Sequence, residues 1–166
     1  MRWARTMSIV VAGVSVARMW TVQPRLPARV ASHFDATGAA NGWMSPSGLF
    51  GFHAALLGIL LLVFTVLPRL VRYLPAASIN LPNRDYWLAP ERRETTLGRI
   101  EDWTAALGLA AITVIALLEE LVVRANLPGG DGRLPMLPLV GLLVGLLAVV
   151  GAGTVRFVRM WRLPPR

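Results

Sequence analysis

Three long runs of apolar residues set the strongest constraint on how this chain can fold. They cover residues 49–67, 103–123 and 137–155, and only the second contains formal charges, Glu119 and Glu120 near its end. A helix that crosses a bilayer needs about 20 mostly apolar residues. We therefore predict three spanning helices. The composition agrees, because 55% of the residues are hydrophobic and only 16% are charged, against about 25% charged residues in soluble domains.

A fourth, weaker run covers residues 4–22 and is interrupted by Arg18. Trp3 and Trp20 bracket it at a spacing of about 26 Å of helix, which suits aromatic anchors at two membrane interfaces. The alternative is a cleaved signal peptide, because basic residues precede the run and residues 15–17 resemble a small-x-small cleavage site. We expect a permanent span.

These runs predict one all-α membrane domain over residues 1–166, a four-helix bundle with spans near 4–22, 49–67, 103–123 and 137–155. An ordered outer loop would join helices 1 and 2, and an interfacial segment would precede helix 3. Basic residues near span ends are retained in the cytoplasm. Twelve arginines lie on the side of the two termini and the middle loop, and four lie on the other side. We expect both termini to be cytoplasmic. The twelve are Arg2, Arg5, Arg69, Arg72, Arg84, Arg92, Arg93, Arg99, Arg156, Arg159, Arg162 and Arg166.

The net charge of +8 comes from 17 basic residues that are all arginine and lie between the apolar runs. No nucleic-acid-binding signature accompanies them, so we expect no nucleic-acid partner. The chain has no cysteine and two histidines, which is too few for a typical zinc site. No recognised hydrolase, metalloprotease or phosphate-binding motif occurs. We expect no metal, no cofactor and no catalytic activity.

The loop between the apolar runs at 4–22 and 49–67 carries a spaced series of residues. The series is Leu26, Pro27, Val30, His33, Phe34, Gly38, Gly42, Trp43 and Ser45. It resembles the hallmark of the bacterial membrane family called domain of unknown function 1648. One departure is Pro46, where a basic residue often follows the serine in that family. With Asp35, these residues predict an ordered cap in which Gly38 and Gly42 adopt positive φ.

The resemblance implies a membrane fold and a location in a bacterial inner membrane more than an activity. Residues 80–93 and 124–127 are similar to segments of longer family members. The family includes the N-terminal part of Sdp-type immunity and signalling proteins, which add a second multi-helix module that this chain is too short to hold.

Ionisable residues at one depth near the outer ends of the predicted helices form a candidate polar cluster. They are Arg18, His53, Glu119, Glu120 and Arg124. Glu120 has a helical partner in Arg124 at i+4, so we predict that Arg18 pairs with Glu119. The cluster would bind a ligand or relay protons. The alternative, which we favour, is that each long side chain reaches the membrane interface by itself.

The middle loop combines aromatic and basic residues ahead of a helix that we predict to begin at Pro90 and to run into the third span. The candidate interface residues are Arg84, Tyr86, Trp87, Arg92 and Arg93. Lipid anchoring is the simpler interpretation, and docking of a partner is the alternative.

Small residues four apart occur in two spans, as Gly141 with Gly145, Gly51 with Ala55, and Ala54 with Gly58. Such spacing permits close helix contact. We expect contacts within the molecule, and a homodimer seam is the alternative.

Together these features predict a non-catalytic structural or accessory subunit of a larger membrane assembly. The alternative, from the family resemblance, is an immunity- or sensor-like protein that recognises a ligand at its outer loop. The expected partners are the lipid bilayer and other subunits or further copies.

Overall fold

The computed structural model describes residues 2–163, apart from the side chain of Arg2, and consists of helices and one small β-hairpin. The α-helices are α1 (Arg2–Val22), α2 (Pro46–Leu61), α3 (Leu67–Leu70), α4 (Arg84–Trp87), α5 (Pro90–Asn126) and α6 (Met136–Met160). The strands are β1 (Val30–Phe34) and β2 (Ala40–Met44). A π-helical turn, Leu62–Val66, joins α2 to α3, and short 3-10 turns cover Gln23–Arg25, Val71–Tyr73 and Ala76–Ser78. The prediction of an all-α fold is corrected, because the outer loop contains a two-stranded hairpin.

Helix α5 is the centre of the molecule, and α1 packs along it in the same direction. Ala4, Ser8 and Ala12 recur every four residues of α1 and are buried. Small side chains at this spacing let two helix backbones approach closely. Ala12 also forms an apolar cluster with Leu57 of α2 and Ile112 of α5. The three helices therefore share one core at mid-length.

The apolar run at 49–67 forms a helical segment, Pro46–Tyr73, that extends beyond the predicted limits. Ser45 caps α2 by accepting a hydrogen bond from the backbone N–H of Gly48 at 3.0 Å. Pro46 occupies the first helical position, where its missing N–H has no consequence. The departure from the family pattern at Pro46 is thus compatible with the cap. Near the other end, Pro68 cannot donate to the preceding turn, and the chain passes through the π turn just before it.

Three helical segments are long and apolar enough to span a membrane: Pro46–Tyr73, Pro90–Asn126 and Met136–Met160. They coincide with the three strongest predicted runs, so this part of the prediction is confirmed. Helix α1 forms at the predicted position but is not in this set. A bundle of four spanning helices is therefore not confirmed by length and composition.

The predicted outer cap is ordered, but it is built on an antiparallel hairpin with an irregular register. Val30 pairs with Met44, and His33 pairs with Gly42. Gly38 has φ +79° in the connecting turn, as predicted. The prediction for Gly42 is wrong, because its φ is not positive. A Cβ there would lie 2.8 Å from the Cβ of His33, so close cross-strand approach requires this glycine.

The hairpin is attached to the rest of the chain at two places, the end of α5 and the loop between α5 and α6. Asn126, the last residue of α5, accepts from the Ala31 N–H at 2.6 Å and donates to the Ala31 carbonyl at 2.9 Å. At the turn, the Leu134 N–H donates to the Gly38 carbonyl at 2.9 Å. These bonds hold the hairpin over the ends of α1, α2 and α5.

At the opposite end, the segment between α3 and α5 folds back on the C-terminal end of α6. Leu81, Leu88 and Leu97 are buried with Trp161 in one apolar cluster. Asn83 and Trp87 both donate to the Trp161 carbonyl, at 2.9 and 3.0 Å. Helix α5 begins at Pro90 and continues without a break through the apolar run at 103–123, as predicted.

Candidate functional site

The predicted polar cluster lies beneath the hairpin and draws on three helices. Helix α1 contributes Arg18, α2 contributes His53, and α5 contributes Glu119, Glu120 and Arg124. The structure brings all five close together, but their pairing differs from the prediction.

Arg18 contacts Glu120, not Glu119. Its Nε lies 3.4 Å from Oε2 of Glu120, while Arg124 Nε donates to Oε1 of Glu120 at 2.8 Å. The predicted i+4 pair of Glu120 and Arg124 is therefore confirmed, and the predicted pair of Arg18 and Glu119 is wrong. The physical reason is that Glu120, and not Glu119, shares the side of α5 on which Arg18 lies.

Glu119 instead faces His53, in a chain of contacts that begins at Ser15. Ser15 Oγ lies 2.8 Å from His53 Nε2. His53 Nδ1 lies 3.6 Å from Glu119 Oε2, which is longer than a hydrogen bond. The His53 side chain is only 2% exposed. Ser15 belongs to this cluster and was not predicted, since a serine within an apolar run carries no distinctive spacing.

Two buried side-chain polar atoms of the described residues lack a hydrogen-bond partner, Glu119 Oε1 and Trp161 Nε1, and of the two residues only Glu119 belongs to this cluster. An unsatisfied buried polar atom costs free energy, about 1–3 kcal/mol and more when the group is charged. Such an atom in a native structure calls for an explanation, and a bound ligand is one.

Two cavities flank Glu119. The first, of about 290 Å³, lies between α1 and α5 and is bordered by Ser15, Arg18, Glu119 and Glu120. The second, of about 280 Å³, lies beneath the hairpin and is bordered by His33, His53 and Glu119. Glu119 therefore borders a cavity that involves the hairpin and another that lies between two helices.

The order Ser15, His53, Glu119 is that of a hydrolytic triad, but its setting differs from one. The oxyanion of such a reaction is stabilised by free backbone N–H groups near the serine. Ser15 lies well inside α1, where backbone N–H groups are used within the helix. The helix interior around Ser15 therefore offers no free backbone N–H group for an oxyanion.

A second carboxylate cluster, at the opposite end of the bundle, was missed by sequence reasoning. Glu101 is buried and accepts a hydrogen bond from Arg5 at 2.8 Å, and a further one from Arg72. Arg72 also lies 3.5 Å from Glu94. Glu101 lies two residues before the apolar run at 103–123, within the helix predicted to begin at Pro90, and no role was predicted for it. The available signal was Arg5 near the start of the run at 4–22 and Arg72 shortly after the run at 49–67.

The outer-loop motif residues serve mainly to build the hairpin. Leu26 and Val30 are buried, and Phe34 packs against the same apolar cluster. His33 Nδ1 contacts the side-chain oxygen of Asn41. Pro27 is exposed. Trp43 is 51% exposed, and Arg29 lies over its ring at 5.7 Å.

Asp35 stabilises the turn of the hairpin. Its Oδ1 accepts from the Thr37 hydroxyl at 2.7 Å, from the Thr37 N–H at 2.8 Å and from the Ala39 N–H at 3.1 Å. The hydrogen bond from the Thr37 side chain, followed by those from the two backbone groups, lowers the pKa of Asp35 below its usual value.

The aromatic and basic residues of the middle segment are largely engaged within the molecule. Arg92 donates to the Tyr86 carbonyl at 2.8 Å and stacks on its ring at 4.0 Å. Arg93 donates to the Leu74 carbonyl at 2.7 Å, and Arg84 donates to the Ala77 carbonyl at 3.3 Å. Trp87 packs edge-on against Trp161. These side chains hold the segment in place, and the prediction of a lipid or partner surface stays a prediction.

The glycines of the predicted small-residue pairs have open space around them within the described part of the chain. A Cβ added at Gly51, Gly58, Gly141 or Gly145 would meet nothing within 4 Å. The expectation of close internal packing at these glycines is therefore wrong, because these positions of α2 and α6 are exposed.

Among the described residues, no group of three or more His, Cys, Asp or Glu side chains could hold a metal ion.

Residues 10–57 match the model of a protein family described as a domain of unknown function, DUF1648. The matched segment runs from the middle of α1 through the hairpin into α2 and contains both Ser15 and His53. The resemblance seen in the outer-loop series is thereby confirmed. A search of curated proteins and a search of solved structures each gave no match.

Proposed function

We propose that the protein is a non-catalytic accessory subunit of a larger membrane assembly, and that α6 is the helix through which it assembles. The observation that carries this proposal is that the rest of the protein covers little of α6. None of its residues is buried, and it contacts the rest of the protein along a narrow seam. Leu137 and Leu147 are 85% and 70% exposed.

The exposed side of α6 has the composition of a helix–helix contact. Gly141 and Gly145 are exposed, with open space around them, and Ala148 and Ala152 continue the row. Between membrane helices, association depends on close backbone approach at small residues, because lipid is as apolar as leucine. A second membrane helix in this row would supply the contacts that α6 lacks.

We further propose that α1 is a fourth span, with both termini on the cytoplasmic side of a bacterial inner membrane. Arg5 and Arg18 make α1 less apolar than the other helices, but each contacts a carboxylate of α5, Glu101 or Glu120. Paired charges cost less in a membrane than isolated ones. The arginine asymmetry then sets the orientation. A cysteine introduced at Ala36 should react with an impermeant reagent in intact cells, and a cysteine at Thr95 should not.

The experiment that tests assembly is quantitative co-purification of the full chain after mild detergent extraction. Wild-type protein should retain a partner protein or a second copy at fixed stoichiometry. Gly141→Leu combined with Gly145→Leu should abolish this retention. Gly58→Leu is the matched control, because it also places leucine at an open glycine in a spanning segment. An unchanged monomer in all three proteins would refute the proposal.

The second candidate is an immunity- or sensor-like protein that recognises a ligand at the hairpin. The observation in its favour is the cavity that His33 of the hairpin shares with His53 and Glu119. A protein that purifies alone and protects cells from a peptide toxin, with protection lost in His33→Ala, would favour this candidate over the first.

A further inference from the structure

The cavity between α1 and α5 is polar at one end and apolar along the rest of its length. Ser15, Arg18, Glu119 and Glu120 border the end nearest the hairpin. Val10, Val14, Ala116 and Leu117 border the part toward the middle of the helices. The cavity thus changes from charged to apolar over about two helical turns.

The apolar part of the cavity is open to the surroundings of the bundle. Val10, Val14 and Leu117 are 47%, 64% and 47% exposed. In a membrane these side chains face the acyl chains of lipids, so a lipid molecule can enter from the side without crossing the hairpin. A polar end near a helix terminus and an apolar end at mid-depth match the arrangement of headgroup and chain in a lipid leaflet.

The polar end combines an unsatisfied acceptor with a partly exposed cation. Glu119 borders the cavity, and its Oε1 is buried without a hydrogen bond among the described residues. The Arg18 guanidinium contacts Glu120 at 3.4 and 3.5 Å, and its side chain is 43% exposed. A guanidinium has five N–H donors in a planar fork that suits phosphate. An occupant that satisfies both groups carries a hydrogen-bond-donating cation next to a phosphate.

We propose that this cavity binds a membrane lipid whose headgroup contains a primary ammonium and a phosphate, as in phosphatidylethanolamine. The ammonium donates to Glu119, the phosphate accepts from Arg18, and one acyl chain lies along Val10, Val14 and Leu117. A primary ammonium is required, because a quaternary ammonium has no N–H to donate. This site is separate from the α6 assembly face and does not depend on it.

The test measures lipid retained by the full chain after purification in mild detergent and reconstitution into nanodiscs. One set of nanodiscs contains phosphatidylethanolamine with phosphatidylglycerol, and the other contains phosphatidylcholine with phosphatidylglycerol. Native mass spectrometry then counts the lipid bound per protein. We expect about one tightly bound phosphatidylethanolamine and no comparable phosphatidylcholine.

Glu119→Gln should weaken this retention about tenfold or more, because a hydrogen bond to a charged group is lost. Ala116→Phe should do the same by filling the apolar part while leaving every charged residue in place. The second variant keeps the test decisive if Glu119→Gln folds poorly. Val144→Phe is the control, since Val144 is exposed on α6, away from the cavity, and it should retain the lipid normally.

Two results would overturn the proposal. One is equal retention of phosphatidylethanolamine and phosphatidylcholine, which would mean that the cavity holds any chain regardless of headgroup. The other is selective retention that neither Glu119→Gln nor Ala116→Phe changes, which would place the lipid elsewhere on the protein.

Discussion

The two ends of the helical bundle each hold a carboxylate of α5, in contrasting surroundings. About three turns into the helix, Glu101 accepts from two guanidinium groups, those of Arg5 and Arg72. Near the end of the helix, Glu119 lies 3.6 Å from His53, and one of its oxygens has no hydrogen-bond partner among the described residues. Both side chains are almost fully buried, with 9% and 12% exposed.

This difference separates a structural charge cluster from a candidate binding site. A buried carboxylate that is fully hydrogen-bonded joins the elements around it and leaves nothing for a ligand. Glu101 joins α5 to Arg5 near the start of α1 and to Arg72 beyond α3. Glu119 bears the cost of burial without a full set of hydrogen bonds, and the lipid site proposed above rests on that property.

The largest effect should come from Glu101→Gln. Loss of the charge leaves Arg5 and Arg72 without their shared partner. Breaking a fully buried pair costs about 3 kcal/mol or more, and we expect about 2–3 kcal/mol here, because the Arg72 side chain is 37% exposed and also lies near Glu94. Thermal unfolding in detergent should show a large fall in stability. Glu119→Gln should change stability by less than about 1 kcal/mol, because the Glu119 carboxylate makes few favourable contacts that the change would remove. Equal losses in the two variants would remove the distinction between the ends.

The two clusters also differ in what covers them, since only the outer one lies beneath a hairpin. Asn126→Ala should detach the hairpin from α5 by removing two hydrogen bonds with Ala31 and one to the Val122 carbonyl. The expected cost is about 1–3 kcal/mol. Hydrogen exchange should increase in residues 30–34 and stay unchanged around Glu101. A uniform increase throughout the chain would mean that the hairpin is not a separate cover.

The ion pair of Arg18 and Glu120 should contribute less to stability than the Glu101 cluster or the Asn126 hydrogen bonds. Both side chains are partly exposed, at 43% and 25%, and Glu120 already has Arg124. A double-mutant cycle with Arg18→Leu and Glu120→Leu should give a coupling of about 0.5 kcal/mol. The same cycle with Glu119→Leu in place of Glu120→Leu should give none. Coupling to Glu119 instead would contradict the pairing described above.

The smallest effect concerns pH at the hairpin turn. The pKa of Asp35 is lowered in the folded protein. The contribution of the Asp35 carboxylate to the free energy of unfolding is therefore fully present above its unfolded pKa, about 3.9. It is lost as pH falls through the lower folded value. The wild-type protein should therefore lose stability relative to Asp35→Asn as the pH is lowered from 5 toward 2. A constant difference between the two across this range would mean that the Thr37 and Ala39 bonds do not depend on the charge.

The sequence by itself determined the features that depend on a local run of residues. Three apolar runs fix three long helices because length and hydropathy decide what can cross a bilayer. Pro90 marks the start of α5, and the spacing of Glu120 and Arg124 fixes their ion pair within one helix. The outer-loop series indicates an ordered, family-specific segment, and Gly38 indicates its turn.

Only the tertiary structure decided which distant residues meet. Whether Arg18 faces Glu119 or Glu120 depends on the rotation of α1 against α5, which the sequence of neither helix specifies. The packing of α1 against α2 brings Ser15 to His53, and the orientation of α6 leaves open space around Gly141 and Gly145 in the described chain. Gly42 is required by the nearness of His33 across the hairpin and not by its own backbone angle. Contacts between elements depend on packing and register, and these are set by all the helices together.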